Sequence, residues 1–268
     1  MRNLLINRLA IGLLVLLNGA TITSAESSFC SGKNAFINIV NRPSNSDSPC
    51  VIPYKHFDLE LGAAYQKLAQ GMGEGYNFPQ PEVRIGLLHQ SELFFFLPNY
   101  YYQRLPVLSG FTNASLGLKH QLGYTDKWVW ALEGELELPG GSKNFGTKAL
   151  GGIVNGIISC TLSNTLSLTF VIGVSTESDS INAGGRRYNS FNPDGLLAYS
   201  FTDTLSFYAE VYGQTKTSAT TGSGFNADAG LLYLIRPNMV VDLSAGQRLS
   251  GFLGGFNHYF EAGMSFLI

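Results

Sequence analysis

Charge is scarce in this sequence, and so are long apolar runs. Only 13% of the 268 residues are charged, against roughly 25% in an ordinary soluble domain. The formal net charge is −2, and no block of Lys or Arg could neutralise a run of phosphates, which excludes nucleic acid as a partner. Beyond residue 25, no stretch approaches the roughly eighteen apolar residues of a membrane-spanning helix.

Cysteine is equally rare. The chain has three cysteines, Cys30, Cys50 and Cys160. In an oxidising compartment Cys30 and Cys50 can form a disulfide, which closes a loop worth roughly 3 kcal/mol in the chain-entropy model; the alternative is two free thiols in an irregular leader. Cys160 lies in an apolar strand pattern, which predicts a small buried apolar side chain.

Catalytic and cofactor motifs are missing too. The glycine-rich stretch 71–75 does not lead from a parallel strand into a helix, as a dinucleotide site requires. The four histidines have no metal-ligand spacing, and no nucleophile motif accompanies them. Glu133, Glu135 and Glu137 stand roughly 7 Å apart along one strand face, but a wall without a cleft gives no acid–base pair. We therefore predict no catalytic residue, no metal site, no cofactor and no enzymatic activity.

The N-terminus has the pattern of a secretory signal peptide. Arg2 and Arg8 are the only charges among the first 25 residues, residues 9–17 are all apolar, and small residues at 23–25 precede Glu26. This predicts a signal peptide over residues 1–25 and export of the chain from the cytoplasm.

From residue 57 onward the sequence consists of short alternating runs separated by Gly, Pro, Asn, Asp and Ser, which is typical of antiparallel strands. We predict twelve strands, including 81–88, 92–102 and 112–122, and the connections between them alternate between long and short. Tight periplasmic turns and long extracellular loops produce this alternation in outer-membrane barrels, where an even strand number places both termini in the periplasm. The predicted fold is all-β: a transmembrane antiparallel β-barrel of about twelve strands over residues 57–268.

The two faces of the predicted strands differ in polarity. Trp128, Trp130 and Leu132 share one face, which suits lipid, while Glu133 and Glu135 share the other, which suits water. The water-facing carboxylates either favour cations along an open path, or belong to a hydrated interior in which some of them pair with basic residues. The candidate lumen-lining residues are Arg84, Lys119, Glu133, Glu135, Glu137, Tyr208, Glu210, Tyr212, Asp228, Asp242 and Glu261.

The last strand has alternating apolar residues up to the final position. This pattern resembles the C-terminal signal by which the outer-membrane assembly machinery recognises its substrates, with Ile in place of the usual terminal Phe. The residues of this predicted assembly signal are Phe260, Ala262, Met264, Phe266 and Ile268.

Several short segments resemble a family of outer-membrane transporters named for the meta-pathway of phenol degradation. The resemblance implies an envelope barrel that passes hydrophobic aromatic compounds, and residues 26–55 lie outside it. The matching segments are 81–86, 116–123, 133–141, 226–230, and 237–238 with Asp242 and Gly246.

Residues 26–56 are too irregular for a strand and too broken for a long helix. We expect an N-terminal periplasmic or plug segment there, crosslinked between Cys30 and Cys50. The expected function is a channel for passive or facilitated uptake of small molecules, hydrophobic aromatic compounds among them; the alternative is a structural or adhesive barrel with a closed lumen and partner-binding loops. The expected partners are outer-membrane lipid and lipopolysaccharide, the assembly machinery and a small-molecule cargo.

Overall fold

The computed structural model describes residues 29–268, so the predicted signal peptide lies outside the described residues. One four-residue helix and fifteen strands follow one another along these residues. Their bounds are α1 (Phe36–Ile39), β1 (Phe57–Leu68), β2 (Glu74–Phe78), β3 (Glu82–Leu87), β4 (Ser91–Phe96), β5 (Tyr100–Gln103), β6 (Leu108–Phe111), β7 (Ser115–Tyr124), β8 (Trp128–Glu137), β9 (Gly152–Thr161), β10 (Leu166–Ser178), β11 (Arg187–Thr202), β12 (Leu205–Gln214), β13 (Gly224–Arg236), β14 (Met239–Ser250) and β15 (Phe256–Leu267). Two short 3₁₀ helices, Ile181–Ala183 and Leu253–Gly255, lie in loops.

The strands form one closed antiparallel barrel. Each strand from β7 to β15 pairs with its sequence neighbour, and β15 pairs with β1 from Asp58–Leu267 to Leu68–Phe256, which closes the barrel. No described helix has the length and apolarity to cross a membrane.

Three neighbouring wall strands each consist of two separate segments, and their gaps lie at about the same height in the barrel. β2 and β3 both pair with β1, on its second and first half respectively, so together they form one wall strand. β4 with β5, and β6 with β7, are joined in the same way. Pro79, Pro81 and Pro98 lie at two of these interruptions, where proline cannot donate the ladder hydrogen bond. The fifteen segments therefore make twelve wall strands, as the sequence predicts.

The sequence pattern missed part of this interrupted region. It placed long connections before strand 81–88 and before strand 112–122, where the structure has β2 and β6. These segments have only 5 and 4 residues, too few for the alternation of apolar and polar residues to identify a strand.

The barrel is apolar outside and polar inside. On β10, the outward residues Phe170, Ile172 and Val174 are 47%, 59% and 58% exposed, while inward Thr169 and Ser175 are buried. The same outward orientation leaves Phe260 and Met264 of β15 exposed. An apolar exterior around a closed barrel is the arrangement of a membrane-spanning β-barrel, because every backbone group is paired and the side chains facing lipid are apolar. The part that the predicted assembly signal plays in insertion stays a prediction.

The two ends of the barrel differ in loop length. At one end lie the turns 88–90, 125–127, 162–165, 203–204 and 237–238, together with the end of β15; at the other lie longer loops, including 138–151, 179–186 and 215–223. In outer-membrane barrels the short turns face the periplasm.

Candidate functional site

Residues 29–56, which we call the inner segment, lie largely inside the barrel, with residues 54–56 exposed where the segment leads into β1. The predicted disulfide between Cys30 and Cys50 is confirmed, and it ties the two arms of the segment together. α1 and the disulfide belong to an apolar cluster that includes Leu232, Leu234 and Val240 of the wall. The inner segment is thus packed against β13 and β14 on one side of its base.

On β3, an arginine anchors the inner segment to the wall. The fully buried Arg84 guanidinium donates to the backbone oxygens of Ile39 at 2.7 Å and Cys50 at 3.3 Å. It also pairs with the carboxylates of Glu60 at 3.1 Å and Glu92 at 3.0 Å, and lies 3.6 Å from that of Asp58. One wall cation therefore binds both arms of the segment while its charge is balanced by buried carboxylates.

The same carboxylates bind backbone N–H groups of the inner segment. Glu60 accepts from Asn41 N at 3.0 Å and from Arg42 N at 2.9 Å. Glu92 accepts from Ile52 N at 2.7 Å. We call these contacts of Ile39–Arg42 and Cys50–Ile52 with β1, β3, β4 and β7 the root.

Lys119 completes the root. Its fully buried ammonium lies 3.3 Å from carboxylate oxygens of both Glu92 and Glu133, and it donates to Asn41 Oδ1 at 3.4 Å. Glu133 also accepts from Asn155 at 3.1 Å. Lys119 of β7 therefore pairs with carboxylates of both neighbouring strands, Glu92 of β4 and Glu133 of β8.

The Arg42 side chain of the inner segment lies on two wall glycines. Gly62 and Gly263 face each other across β1 and β15, and a Cβ at either position would collide with the Arg42 guanidinium. The guanidinium donates to Glu261, to Gln80 at 3.2 Å and to Asp242 at 3.5 Å. Without side chains at the two glycines, the wall has room for this cation.

Residues 44–47, which we call the tip, reach across the lumen to β11 and β12. Glu210 accepts from Asn45 N at 2.8 Å and from Ser46 N at 2.7 Å. Asn45 Nδ2 donates to Asp194 at 3.0 Å. Burial, together with the nearby Glu133 carboxylate, raises the pKa of the Asp47 carboxyl well above its usual range.

Two cavities lie in the lumen beside the inner segment. The upper cavity, toward the long loops, has a volume of about 750 Å³; the lower one, about 160 Å³, reaches residues 163–165 of a short turn. Arg42, Ser44 and Asp47 line both. Phe96, Ile153 and Val171 contribute apolar surface to the upper cavity, whose carboxylates are Asp47, Glu82, Glu135, Glu137, Glu177, Asp194 and Glu261.

The structure places the eleven sequence-predicted lumen residues on the inner face, but not in one site. Glu133, predicted as one of a row with Glu135 and Glu137, is instead buried against Lys119. The eleven residues fall into three groups. Arg84 and Lys119 belong to the root, and Glu133 pairs with Lys119 there. Glu135, Glu137, Tyr212 and Glu261 line the upper cavity and Tyr208 the lower one, while Glu210, Asp242 and Asp228 bind the tip, Arg42 and the Tyr259 hydroxyl respectively.

Sequence reasoning missed several charged groups of the lumen, including Asp47 and Glu177 of the upper cavity. Glu92 and Asp58 follow the same alternation as their inward neighbours, so the strand pattern contained a signal for them. Asp194 lies in a strand whose inward positions include Leu196 and Ala198. Because these inward neighbours are apolar, the alternation of polar and apolar residues did not assign Asp194 to the lumen. Arg42 lies in the irregular inner segment, where no periodicity indicates direction.

Solved outer-membrane barrels share this fold. An outer membrane channel from Pseudomonas putida F1 matches with a TM-score of 0.63 at 10% identity, covering 84% of this chain and 100% of that one. The NanC porin matches with a TM-score of 0.55 at 12% identity, and the KdgM porin with 0.54 at 10%; each match covers 78% of this chain and 98% of the other. The fold and the apolar exterior place the protein in the outer membrane.

At the level of sequence, the chain matches one family model and no curated protein. The family model matches residues 40–251, so the similarity begins inside the inner segment and includes the tip, whereas the sequence segments alone confined the resemblance to the barrel. Because the match covers most of the chain, this protein belongs to the family of the MetA-pathway of phenol degradation.

Proposed function

We propose that this protein is an outer-membrane channel for the passive entry of small solutes. The observation that carries the proposal is the pair of cavities that follow one another along the lumen and share Arg42, Ser44 and Asp47 as lining residues. A structural barrel has no need for a cavity of about 750 Å³, because a polar interior can be filled by side chains.

Charge supports a preference among solutes. Seven carboxylates line the upper cavity, and the guanidinium of Arg42 is the cation among its lining residues. A carboxylate-lined passage favours cations and repels anions. Phe96, Ile153 and Val171 offer apolar contact beside these carboxylates, so we propose neutral and cationic solutes with an apolar part as cargo, aromatic compounds included.

Conductance in planar bilayers tests the proposal. The purified protein should give discrete current steps, and the reversal potential in a KCl gradient should indicate K⁺ preference. Replacing Glu135 and Glu137 with Gln should reduce that preference while the barrel stays folded. Glu74→Gln is the matched control, because Glu74 pairs with the exposed Arg104 and does not line either cavity.

The outcomes separate the channel from the structural barrel. Current steps with cation preference support the channel. A folded protein that passes no current, both as wild type and with residues 44–47 replaced by two glycines, would contradict it and favour the closed structural or adhesive barrel.

A further inference from the structure

The inner segment divides the lumen unequally. The root occupies the side of β1, β3, β4 and β7, where Arg84, Glu60, Glu92 and Lys119 are fully buried. The lower cavity lies on the other side: the wall residues that line it belong to β9–β13 and the turn between β9 and β10. Within the described residues, no side chain of β1–β8 lines it. The lower cavity therefore provides space beside the inner segment on the side of β9–β13.

The tip separates the two cavities on that side. Ser44 and Asp47 line both cavities, Asn45 lines the upper one and Ser46 the lower one. Above the tip stand Asp194 and Tyr212 of the wall; below it stand Tyr208 and Ser206. A solute that moves from the upper to the lower cavity must therefore pass the tip.

Few bonds hold the tip to β11 and β12, while its Asp47 carboxyl lies beside Glu133. Glu210 accepts from two of its backbone N–H groups, and Asn45 donates to Asp194 where the contact is exposed. The Ser44 hydroxyl bonds only to backbone oxygens of the inner segment itself. The buried Tyr208 hydroxyl and Ser46 hydroxyl have no hydrogen-bond partner among the described residues. Polar groups without a protein partner beside a passage are sites where water or a polar solute binds.

We propose that solutes pass the inner segment along β10–β12, and that the tip together with Glu210 is the constriction that determines which solutes pass. This inference rests on the proposed channel function. When the tip moves away, the Glu210 carboxylate loses two N–H donors, which water or a passing solute must replace. A solute that carries ammonium or hydroxyl groups replaces those donors, whereas an anion cannot. The constriction thereby selects small solutes with hydrogen-bond donors.

Thiol accessibility tests which side of the lumen conducts. In a Cys160→Ser background, Ser206→Cys places a thiol on the lower cavity, and Gln121→Cys places one on the inner face of β7, on the root side. A cationic methanethiosulfonate reagent added from the periplasmic side should reduce the current through Ser206→Cys and leave Gln121→Cys unchanged. Block at Gln121→Cys, or no block at Ser206→Cys in a conducting channel, would overturn the proposed path.

A pair of matched variants tests the constriction. Glu210→Gln keeps the size of the side chain but has one acceptor oxygen for two N–H groups, so the open fraction should rise about tenfold, which corresponds to the loss of one charge-assisted hydrogen bond. Glu60→Gln makes the same change at the root, and it should lower the yield of folded barrel without raising the current. Heat-dependent gel mobility reports folding of both variants.

The results distinguish this inference from the channel function itself. If the wild type conducts but Glu210→Gln leaves the open fraction unchanged, the constriction is wrong and the channel stands. If the wild type and the tip-replaced protein are both silent, the channel function fails and this inference fails with it.

Discussion

The root and the tip attach the same short segment to the same wall with the same chemistry. At each end one carboxylate accepts from two successive backbone N–H groups: Glu60 from Asn41 and Arg42, Glu210 from Asn45 and Ser46. The difference lies in the other partners of each carboxylate. Glu60 pairs with the buried Arg84, whereas Glu210 has no ion pair within the described chain.

That difference determines which end can move. When one member leaves a buried, hydrogen-bonded ionic network, the remaining charged groups stay buried without a partner, which is unfavourable. This opposes release of the root. The tip faces two cavities, so water can replace its hydrogen bonds when it moves. Two attachments with the same hydrogen-bond geometry therefore differ in strength. The strength depends on which partners remain for the wall carboxylate after the hydrogen bonds to the inner segment break.

The largest effect should come from removing the central cation of the root. Arg84→Met leaves Asp58, Glu60 and Glu92 buried without it and should lower the free energy of unfolding by about 3–5 kcal/mol. Arg104→Met is the control: its partner is Glu74, and its side chain is 65% exposed, so the stability should stay close to that of the wild type. Urea titration followed by gel mobility without heating measures both. Equal stability of the two variants would refute the claim that the ion pairs of Arg84 make the root the stronger attachment.

The disulfide should contribute nearly as much to the root. Cys30 and Cys50 are separated by 20 residues, and opening a loop of this size costs about 3 kcal/mol. The Cys30→Ser, Cys50→Ser double variant should therefore need less urea to release the inner segment, seen as proteolysis of residues 29–56 from an intact barrel. Cys160→Ser, whose cysteine is free, should behave as the wild type. Undiminished protection of the double variant would show that the root does not need the crosslink.

A wall glycine supports the second arm of the root. A Cβ at Gly86 would collide with the backbone oxygens of Ile52 and Pro53, and such overpacking costs about 1–3 kcal/mol. Gly86→Ala should thus weaken the root, whereas Gly134→Ala should not, since no atom lies within 4 Å of a Cβ there. The proteolysis assay described above compares the two. Identical cleavage rates would contradict the assignment of Gly86 to the root.

The smallest effect concerns the pH response of the tip. Burial beside Glu133 raises the pKa of Asp47, so the docked tip binds more protons than a released tip, and docking is favoured as the pH falls. The open fraction of the wild-type channel should decrease on acidification. Asp47→Asn lacks this proton and should show a flatter profile. Superimposable pH profiles would exclude Asp47 as a contributor.

Much of the barrel follows from alternation along single strands. Lipid outside and water inside require a change of polarity at every residue, so Leu132 and Glu133 can be assigned to opposite faces without any knowledge of the neighbouring strands. Short turns rich in Asn, Asp and Pro separate these runs, which predicts the strand number. The segments β2 and β6 were not predicted as strands, because four or five residues contain too little alternation of polar and apolar side chains.

What the inward residues bind was decided only by the tertiary structure. Glu133 and Glu135 look alike in the sequence, yet Glu133 pairs with Lys119 while Glu135 lines the upper cavity. The reason is that their partners come from other strands and from the inner segment, which has no periodicity. Arg42 shows this most clearly: its position depends on Gly62 and Gly263, which only barrel closure brings together. Alternation along the strands predicts a barrel with an acidic interior, whereas the packing of residues 29–56 inside it determines which carboxylates pair with cations and which face the cavities.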